Sequence, residues 1–123
     1  MFEGCAEEAM LFYTKLFPGS EILDINRFDE NGPGKPGTVK KATFTIAGKE
    51  YMCIDSFVNH GFTFTTSISI YVKCSLKNEI DTFFAKLSEG GAVLMPLAPY
   101  PFSEKFGWVN DKFGISWQLD LKK

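Results

Sequence analysis

The chain repeats one pattern of residues, and this repeat constrains the fold more than any other feature of the sequence. Residues 8–19 align with residues 79–90 at an offset of 71 positions. The matching pairs are Glu8/Glu79, Phe12/Phe83, Lys15/Lys86, Leu16/Leu87, Gly19/Gly90 and, beyond the aligned segment, Leu23/Leu94. Such a repeat predicts two copies of one structural unit, with a binding cavity where the copies meet.

Size and charge argue against several classes of protein. With 123 residues the chain is long enough for one domain with a buried core. A net charge of −2 and a pI near 5.4 argue against nucleic acid or an anionic membrane as a partner. No apolar run approaches the roughly 18 residues that a membrane span requires. The N-terminus also lacks the basic and apolar regions of a signal peptide.

The three cysteines, Cys5, Cys53 and Cys74, indicate a reducing compartment. They are sparse, odd in number and without CxxC spacing. This pattern fits buried, reduced thiols better than a disulfide framework. We therefore expect a cytoplasmic protein.

Hydrophobic periodicity predicts two helices and seven strands. Three- and four-residue spacing of apolar residues predicts a helix over 4–17 and a second helix capped by Ser75 and closed at 89–91. Alternation predicts strands over 21–28, 39–46, 50–56, 67–74, 92–97, 106–109 and 115–121. Segments 29–37 and 98–106 are predicted to be loops, and 57–66 a connector between the copies.

The two copies differ at their beginnings. The second reads βαβββ and the first αβββ, so Met1 and Phe2 are interpreted as the end of a leading strand. A missing strand leaves a sheet edge that a partner chain would cover, which predicts a homodimer. The alternative is that the natural product starts further upstream.

Three segments carry a resemblance to a known family. Residues 4–20, the loop 32–37 and above all the tail 106–119 resemble PhnB-like proteins of the vicinal oxygen chelate superfamily, which includes glyoxalase I, bleomycin-resistance proteins and extradiol dioxygenases. The resemblance implies an α+β fold of paired βαβββ modules, here 1–57 and 66–123. Each module would curve its mixed sheet into a half-cup with the helix outside, and the two would enclose a cavity.

Strand alternation assigns residues to the two faces of these sheets. The faces expected to meet the helices carry Phe44, Ile46, Met52, Ile54, Ile68, Ile70, Trp117 and Leu119. The side chains predicted to line a ligand-binding cavity are Thr43, Tyr51, Cys53, Asp55, Ser69, Tyr71, Trp108, Ser116 and Gln118.

The family that this sequence resembles includes metal-binding members, but the residues at the expected ligand positions are different here. Metal-dependent relatives hold a divalent ion with His and Glu side chains from four strands. Here the turn from Asp111 to Gly114 leads to Gln118 where a glutamate would stand, and Ser69 stands where a histidine would. The corresponding strand of the first copy offers Cys53 or Asp55, and the only histidine, His60, lies in the connector. We expect no bound metal and no other cofactor, with a divalent ion as the alternative.

Two further motifs give little support to other activities. The glycines at 32, 34 and 37 match GxGxxG in spacing but lead into a strand, unlike a dinucleotide-binding loop. Some PhnB-like proteins carry the label 3-demethylubiquinone-9 3-methyltransferase. The sequence shows no strand followed by a Gly-rich loop that would suit S-adenosylmethionine.

Three functions remain open at this point. The first is a metal-free protein that binds a small molecule in the cup. The second is an enzyme of the lyase, isomerase or dioxygenase kind, and the third is an interaction module whose cavity is filled by its own side chains.

Overall fold

The computed structural model describes residues 1–122, which form two helices and seven strands. The helices are α1 (Ala6–Leu16) and α2 (Lys77–Ser88). The strands are β1 (Ile22–Arg27), β2 (Val39–Ile46), β3 (Lys49–Cys53), β4 (Ser69–Cys74), β5 (Ala92–Tyr100), β6 (Ser103–Asn110) and β7 (Ser116–Leu121). The chain divides into two compact units, Met1–Thr63 and the residues from Phe64 onward, and the division falls inside the predicted connector.

The first unit contains an antiparallel sheet in the order β1-β2-β3. Phe2 extends this sheet through a parallel bridge to Asp55, just beyond β3. Its N–H donates to Ile54 O at 2.8 Å, and its carbonyl accepts from the Ser56 N–H at 2.7 Å. Phe2 therefore occupies the position that the sequence predicts for the end of a leading strand.

The second unit contains a mixed sheet in the order β4-β7-β6-β5. β4 pairs with β7 in parallel, and the other neighbours are antiparallel. The leading strand of this unit thus pairs with its last strand, as Phe2 does beside β3. The predicted α+β fold class is confirmed.

Two local predictions about the second unit are wrong. Ser75 does not cap α2, since Leu76 holds the capping position without a side-chain bond and the Ser75 N–H donates to Glu79 Oε1 at 3.0 Å. Segment 98–106 is not a loop, because β5 and β6 extend to a tight hairpin in which Tyr100 pairs with Ser103. Ring contacts at this end of the hairpin join Tyr100, Phe102 and Phe106 with centroids 5.0–6.0 Å apart.

Each helix packs its apolar side chains on one face of its own sheet. In the first unit the buried set is Ala6, Ala9, Met10 and Tyr13 of α1 with Val39, Ala42, Phe44 and Ile46 of β2. In the second it is Ile80, Phe83 and Leu87 of α2 with Val109, Trp117 and Leu119. Each fully buried Val, Leu, Ile, Met or Phe side chain contributes roughly 1.5–3 kcal/mol through the apolar area removed from water, and each alanine contributes less.

Glycines allow the closest approaches in the second unit. A Cβ at Gly107 would lie 2.6 Å from the Phe84 ring, so the bare backbone lets α2 settle onto β6. A Cβ at Gly91 would lie 2.0 Å from the Asn110 carbonyl oxygen. Gly91 therefore permits β5 to start directly beside the end of β6.

Three residues predicted for the helix-facing side are exposed instead. Met52 is 61%, Ile54 37% and Ile68 76% exposed. The reason for Met52 and Ile54 is the register of β3, in which Cys53 lies opposite Ala42 and Tyr51 opposite Phe44. Directly paired residues share a face, so Tyr51 and Cys53 turn toward α1 and their neighbours turn away.

Asp55 ties together three segments of the first unit and is 4% exposed. Its Oδ1 accepts from the backbone N–H groups of Gly4 and Ala6, each at 2.9 Å, and its Oδ2 accepts from Val39 N–H at 2.9 Å. α1 has no side-chain cap from Cys5, and this carboxylate instead accepts the first N–H of the helix, that of Ala6. Asp55 is one of the residues predicted to line a ligand cavity, and that stays a prediction, while its two carboxylate oxygens are engaged by these three backbone N–H groups.

No helix within residues 1–122 is both long and apolar enough to cross a membrane.

Replacing Asp55 by asparagine should destabilise the first unit. Asp55→Asn removes the charge and places an N–H donor against a backbone N–H, which we expect to lower the free energy of unfolding by about 2 kcal/mol or more. The shift of the urea midpoint measures this loss. Asp24→Asn is the matched control, since Asp24 is exposed and its carboxylate accepts from the Asn26 amide at 3.1 Å. Equal effects of the two changes would contradict an anchoring role for Asp55.

Candidate functional site

Five of the predicted site residues lie together on the face of the second sheet that is turned away from α2. The parallel register places Ser69 beside Ser116 and Tyr71 beside Gln118, and the antiparallel register places Trp108 beside Gln118. Paired residues point to the same side of a sheet. We call this surface, with Asn110 and Asp120, the polar face of the second unit.

Hydrogen bonds join four of these side chains into a chain. The Trp108 indole Nε1–H donates to Ser116 Oγ at 2.8 Å, and Ser116 Oγ lies 2.6 Å from Ser69 Oγ. Gln118 Nε2 donates to Ser69 Oγ at 3.2 Å. Ser116 is 1% exposed, so the middle of the chain is shielded from solvent while Ser69, Trp108 and Gln118 are half-buried.

Asn110 adds an unsatisfied acceptor to the polar face. It pairs with Ser116 in the antiparallel register and precedes the turn into β7. Its Oδ1 is buried and has no hydrogen-bond partner in the part of the chain that the structure describes. Such an acceptor costs about 1–3 kcal/mol when it stays unpaired, which marks a place where a donor from outside the protein would be stabilised.

A second network lies one step along the strands. Asp120 is 3% exposed, accepts from the Tyr71 hydroxyl at Oδ2, and accepts from the hydroxyl of the fully buried Ser103 at Oδ1. Asp120 forms no ion pair with any residue of 1–122. Two neutral hydroxyl groups therefore hold a buried carboxylate in place.

The Tyr71 hydroxyl stays protonated under ordinary conditions. Burial of the hydroxyl end and then the hydrogen bond and negative charge of Asp120 raise the pKa of Tyr71 to about 12, although the residue is 49% exposed. Tyr71 acts as a neutral donor to Asp120 with oxygen lone pairs left to accept. It is unsuited to act as a base near neutral pH.

The predicted site residues of the first unit do not share one face. Thr43 is half-buried and pairs with Met52, on the side of the sheet away from α1. Tyr51 and Cys53 face α1, where Tyr51 stacks on Phe44 with ring centroids 5.8 Å apart. The prediction that these three side chains line one surface is wrong, because β3 is shifted by one residue relative to the expected phase.

The cysteine thiols are held in their neutral form. Burial raises the pKa of Cys53 to about 11 and the pKa of Cys74 to about 12, and burial also raises the pKa of Cys5. The carboxylate of Asp55 adds to the effect at Cys5 and Cys53. Because the thiolate is the nucleophile, these thiols are poorly suited to covalent chemistry.

The side chains that the structure describes do not form a donor set for a transition metal. Residues 1–122 contain no group of three or more His, Cys, Asp or Glu side chains placed to hold an ion. At the polar face Gln118 and Ser69 are joined to each other, and Asp120 is engaged by two hydroxyl groups. His60 lies in the first unit, where it contacts Ser56 Oγ at 2.9 Å and stacks on Phe62.

Sequence patterns did not single out Asn110, Asp120 and Ser103. Asn110 lies two residues after Trp108 in β6, and Asp120 lies two residues after Gln118 in β7. Extending the predicted alternation by one step in each strand would therefore have included both. Ser103 carries no such signal, because its segment was predicted to be a loop.

A protein-family model described as 3-demethylubiquinone-9 3-methyltransferase matches residues 1–120. The chain belongs to this family. A search of curated proteins found no match.

Solved structures agree with the family assignment. A Bacillus cereus PhnB protein, provisionally described as a 3-demethylubiquinone-9 3-methyltransferase, is 67% identical, with 98% of this chain and 94% of that chain covered and a TM-score of 0.96. Protein PA1353 from Pseudomonas aeruginosa is 26% identical, with coverage of 98% and 92% and a TM-score of 0.82. A glyoxylase/bleomycin resistance protein/dioxygenase domain from Frankia sp. EAN1pec shares the fold at 14% identity, with coverage of 94% and 83% and a TM-score of 0.66. Together they support the PhnB-like fold that the sequence predicts.

The name of the 3-demethylubiquinone-9 3-methyltransferase family implies S-adenosylmethionine, which the Gly-rich loop of this chain does not fit. A Cβ at Gly34 would lie 2.5 Å from the Phe28 ring and one at Gly32 3.2 Å from it. The Gly37 N–H donates to the Phe28 carbonyl at 2.9 Å, and β2 follows. Gly32 and Gly34 make room for the Phe28 ring, so these two glycines serve packing in the first unit.

Loss of the Tyr71 proton should weaken the fold only at high pH. The pKa is near 12 in the folded state and about 10 in the unfolded state, so the contribution is complete below pH 10 and lost between pH 10 and about 12. We expect the stability difference between the wild type and Tyr71→Phe to stay constant up to pH 10 and to shrink above it. Urea unfolding at a series of pH values measures the difference. A difference that shrinks already between pH 7 and pH 9 would contradict the raised pKa.

Proposed function

We propose that this chain is a small-molecule-binding protein and that the polar face of the second unit holds the ligand. The unpartnered Asn110 Oδ1, which lies in register with the Trp108–Ser116–Ser69–Gln118 chain, carries this proposal. A folded protein rarely keeps a buried acceptor unpaired, and a ligand donor is the partner that this surface lacks. The indole of Trp108 adds a half-buried aromatic surface for apolar contact.

The groups on the polar face support binding more than acid–base catalysis. Ser69, Ser116, Asn110 and Gln118 are neutral at all ordinary pH values, and Tyr71 remains protonated up to a pKa of about 12. Asp120 already accepts two hydroxyl protons. A general acid or base needs a free proton site that titrates near the working pH, and this set offers a poor candidate.

We also propose that the protein works without a bound metal or other cofactor. Gln118 and Ser69 supply neutral oxygen atoms, which hold a divalent transition metal far less well than glutamate and histidine. Their mutual hydrogen bond further occupies the two side chains.

An enzyme of the lyase, isomerase or dioxygenase kind is the second candidate. The Tyr71–Asp120–Ser103 network favours it, because a buried carboxylate beside a half-exposed phenol could orient a bound substrate. This candidate is favoured if the protein converts a compound that it binds, and if Tyr71→Phe abolishes the conversion but not the binding.

We further propose that the protein is cytoplasmic and forms a homodimer. Three free cysteines support the first. Exposed apolar side chains of the segment between β3 and β4, namely Phe57, Val58 and Phe62 at 48–65% exposure, support self-association. Light scattering on the purified chain would decide the oligomeric state.

Metal content tests the metal-free proposal directly. We expect purified wild-type protein to contain far less than one Ni, Zn, Mn or Fe per chain by elemental analysis. Gln118→Glu should raise metal uptake only slightly, because the neighbouring serines are weak ligands. Stoichiometric metal in the wild type that disappears in Gln118→Ala would overturn the proposal.

A fragment screen tests the binding function. Compounds that bind should raise the melting temperature of the protein. Their dissociation constants should lie near the millimolar range expected of fragments. Ser116→Ala should weaken their binding by roughly tenfold, because Trp108 and Ser69 lose their shared partner. Ser75→Ala is the matched control, since that exposed side chain provides no helix cap. If every compound binds the Ser116→Ala and Ser75→Ala proteins with the same affinity, the proposed site is contradicted.

A further inference from the structure

The serine pair on the polar face carries one more proton than its internal bonds use. Ser116 Oγ accepts the Trp108 N–H, and Ser69 Oγ accepts the Gln118 N–H. Only one of the two hydroxyl groups can donate across the 2.6 Å contact between them. The remaining hydroxyl proton is a donor for an outside partner. Ser69 is better placed to donate it to an outside partner, because Ser69 is half-buried and Ser116 is fully buried.

The two amide side chains supply the complementary acceptors. Asn110 Oδ1 is buried without a partner among residues 1–122. Gln118 uses its Nε2 to reach Ser69, which leaves its Oε1 carbonyl to accept. The polar face therefore presents a mixed set, with the outward serine hydroxyl and the remaining amide N–H groups as donors and the two amide carbonyls as acceptors.

The charges near this face disfavour an anion. Asp120 is buried and lies two residues along β7 from Gln118, about 6.6 Å at the usual rise of a strand. Lys73, the cation in register with Asp120, is exposed at the far end of β4 from Ser69. A carboxylate ligand would also place its oxygen lone pairs against Asn110 Oδ1, where no proton could join them.

An ammonium group fits less well than an amide. It would satisfy the two carbonyl acceptors but would direct an N–H toward the outward hydroxyl proton. An ammonium group would also lose its hydration, and no carboxylate would contact it directly to compensate for that cost, since Asp120 already accepts from Tyr71 and Ser103.

We propose that the ligand of this site is a neutral molecule with an N–H donor beside a carbonyl acceptor, such as a carboxamide or lactam, on an apolar ring. Its N–H is accepted by Asn110 Oδ1, its carbonyl accepts the serine hydroxyl proton, and its ring contacts Trp108. The inference rests on the proposed binding function and deepens it by naming the ligand class.

Four probes of one shape test the ligand class on the whole chain: benzamide, acetophenone, benzoate and benzylamine. Binding is followed by NMR at the indole N–H of Trp108, with Trp117 as an internal reference, since Trp117 is fully buried and its Nε1–H donates to Asp111 Oδ2 at 2.8 Å. Trp108→Phe assigns the two resonances. We expect benzamide to bind at least about tenfold more tightly than each of the other three.

Asn110→Leu isolates the donor contact. It removes the acceptor at similar volume, so benzamide should lose its advantage over acetophenone while acetophenone itself binds about equally. Asn78→Asp, an exposed change on α2, is the control and should leave all four affinities unchanged. An unshifted Trp117 resonance confirms that the Leu variant is folded, and the comparison of probes in the wild type does not depend on any variant.

The outcomes separate the two levels of the proposal. Tighter binding of benzoate or benzylamine than of benzamide at the Trp108 resonance would overturn the ligand class and leave the binding site standing. Equal binding of benzamide and acetophenone in the wild type would do the same. Failure of every probe to move Trp108 overturns the ligand class, and failure of the whole fragment screen as well overturns the proposed function.

Discussion

Buried carboxylates that accept backbone N–H groups hold each unit together. Asp55 joins the start of α1, the start of β2 and the segment after β3 through three bonds of 2.9 Å. In the second unit Asp111 accepts from Phe113 and Ile115 N–H and from the Trp117 indole. A charged acceptor for several backbone donors contributes more than a neutral one, and each donor left without it would carry a desolvation cost. Asp55 therefore fixes the start of α1 against β2, and Asp111 fixes the turn between β6 and β7.

Sequence patterns predicted the fold class and nearly all of the elements, because helical and strand periodicities are strong over these lengths. The phase of β3 was an exception, as were the 98–106 segment and the cap of α2. The side chains of β3 alternate between Tyr51 and Cys53 on one face and Met52 on the other, and neither set is clearly the more polar. Pairing with β2 decides the phase, since Ala42 and Phe44 lie opposite Cys53 and Tyr51. A one-residue shift moves every side chain of a strand to the other face, so Tyr51 and Cys53 lie on the opposite side of the sheet from Thr43.

The second unit was predictable where the first was not. In β7 the apolar residues Trp117 and Leu119 alternate with Ser116 and Gln118, and a single phase buries the large side chains. The parallel register with β4 then brings Ser69 and Tyr71 to the same face. What no local pattern could show is hydrogen-bond satisfaction. Asn110 Oδ1 has no partner among the residues that the structure describes, and Asp120 accepts from two hydroxyl groups, and both facts depend on contacts between strands that are distant in the sequence.

The position of Gln118 decides what kind of chemistry the polar face can support. A carboxylate there would need to be neutralised by a metal or a cation, because a second buried negative charge would stand beside Asp120. The amide removes that requirement and ties Gln118 to Ser69 and, through it, to Ser116 and Trp108. A network of neutral donors and acceptors discriminates between ligands by leaving groups unpaired when the wrong one binds, and it needs no ion to do so. The hydrogen bonds of Gln118 thus supply a physical basis for selectivity in the proposed site, and the buried oxygen of Asn110, unpaired among residues 1–122, is the feature from which we infer the ligand.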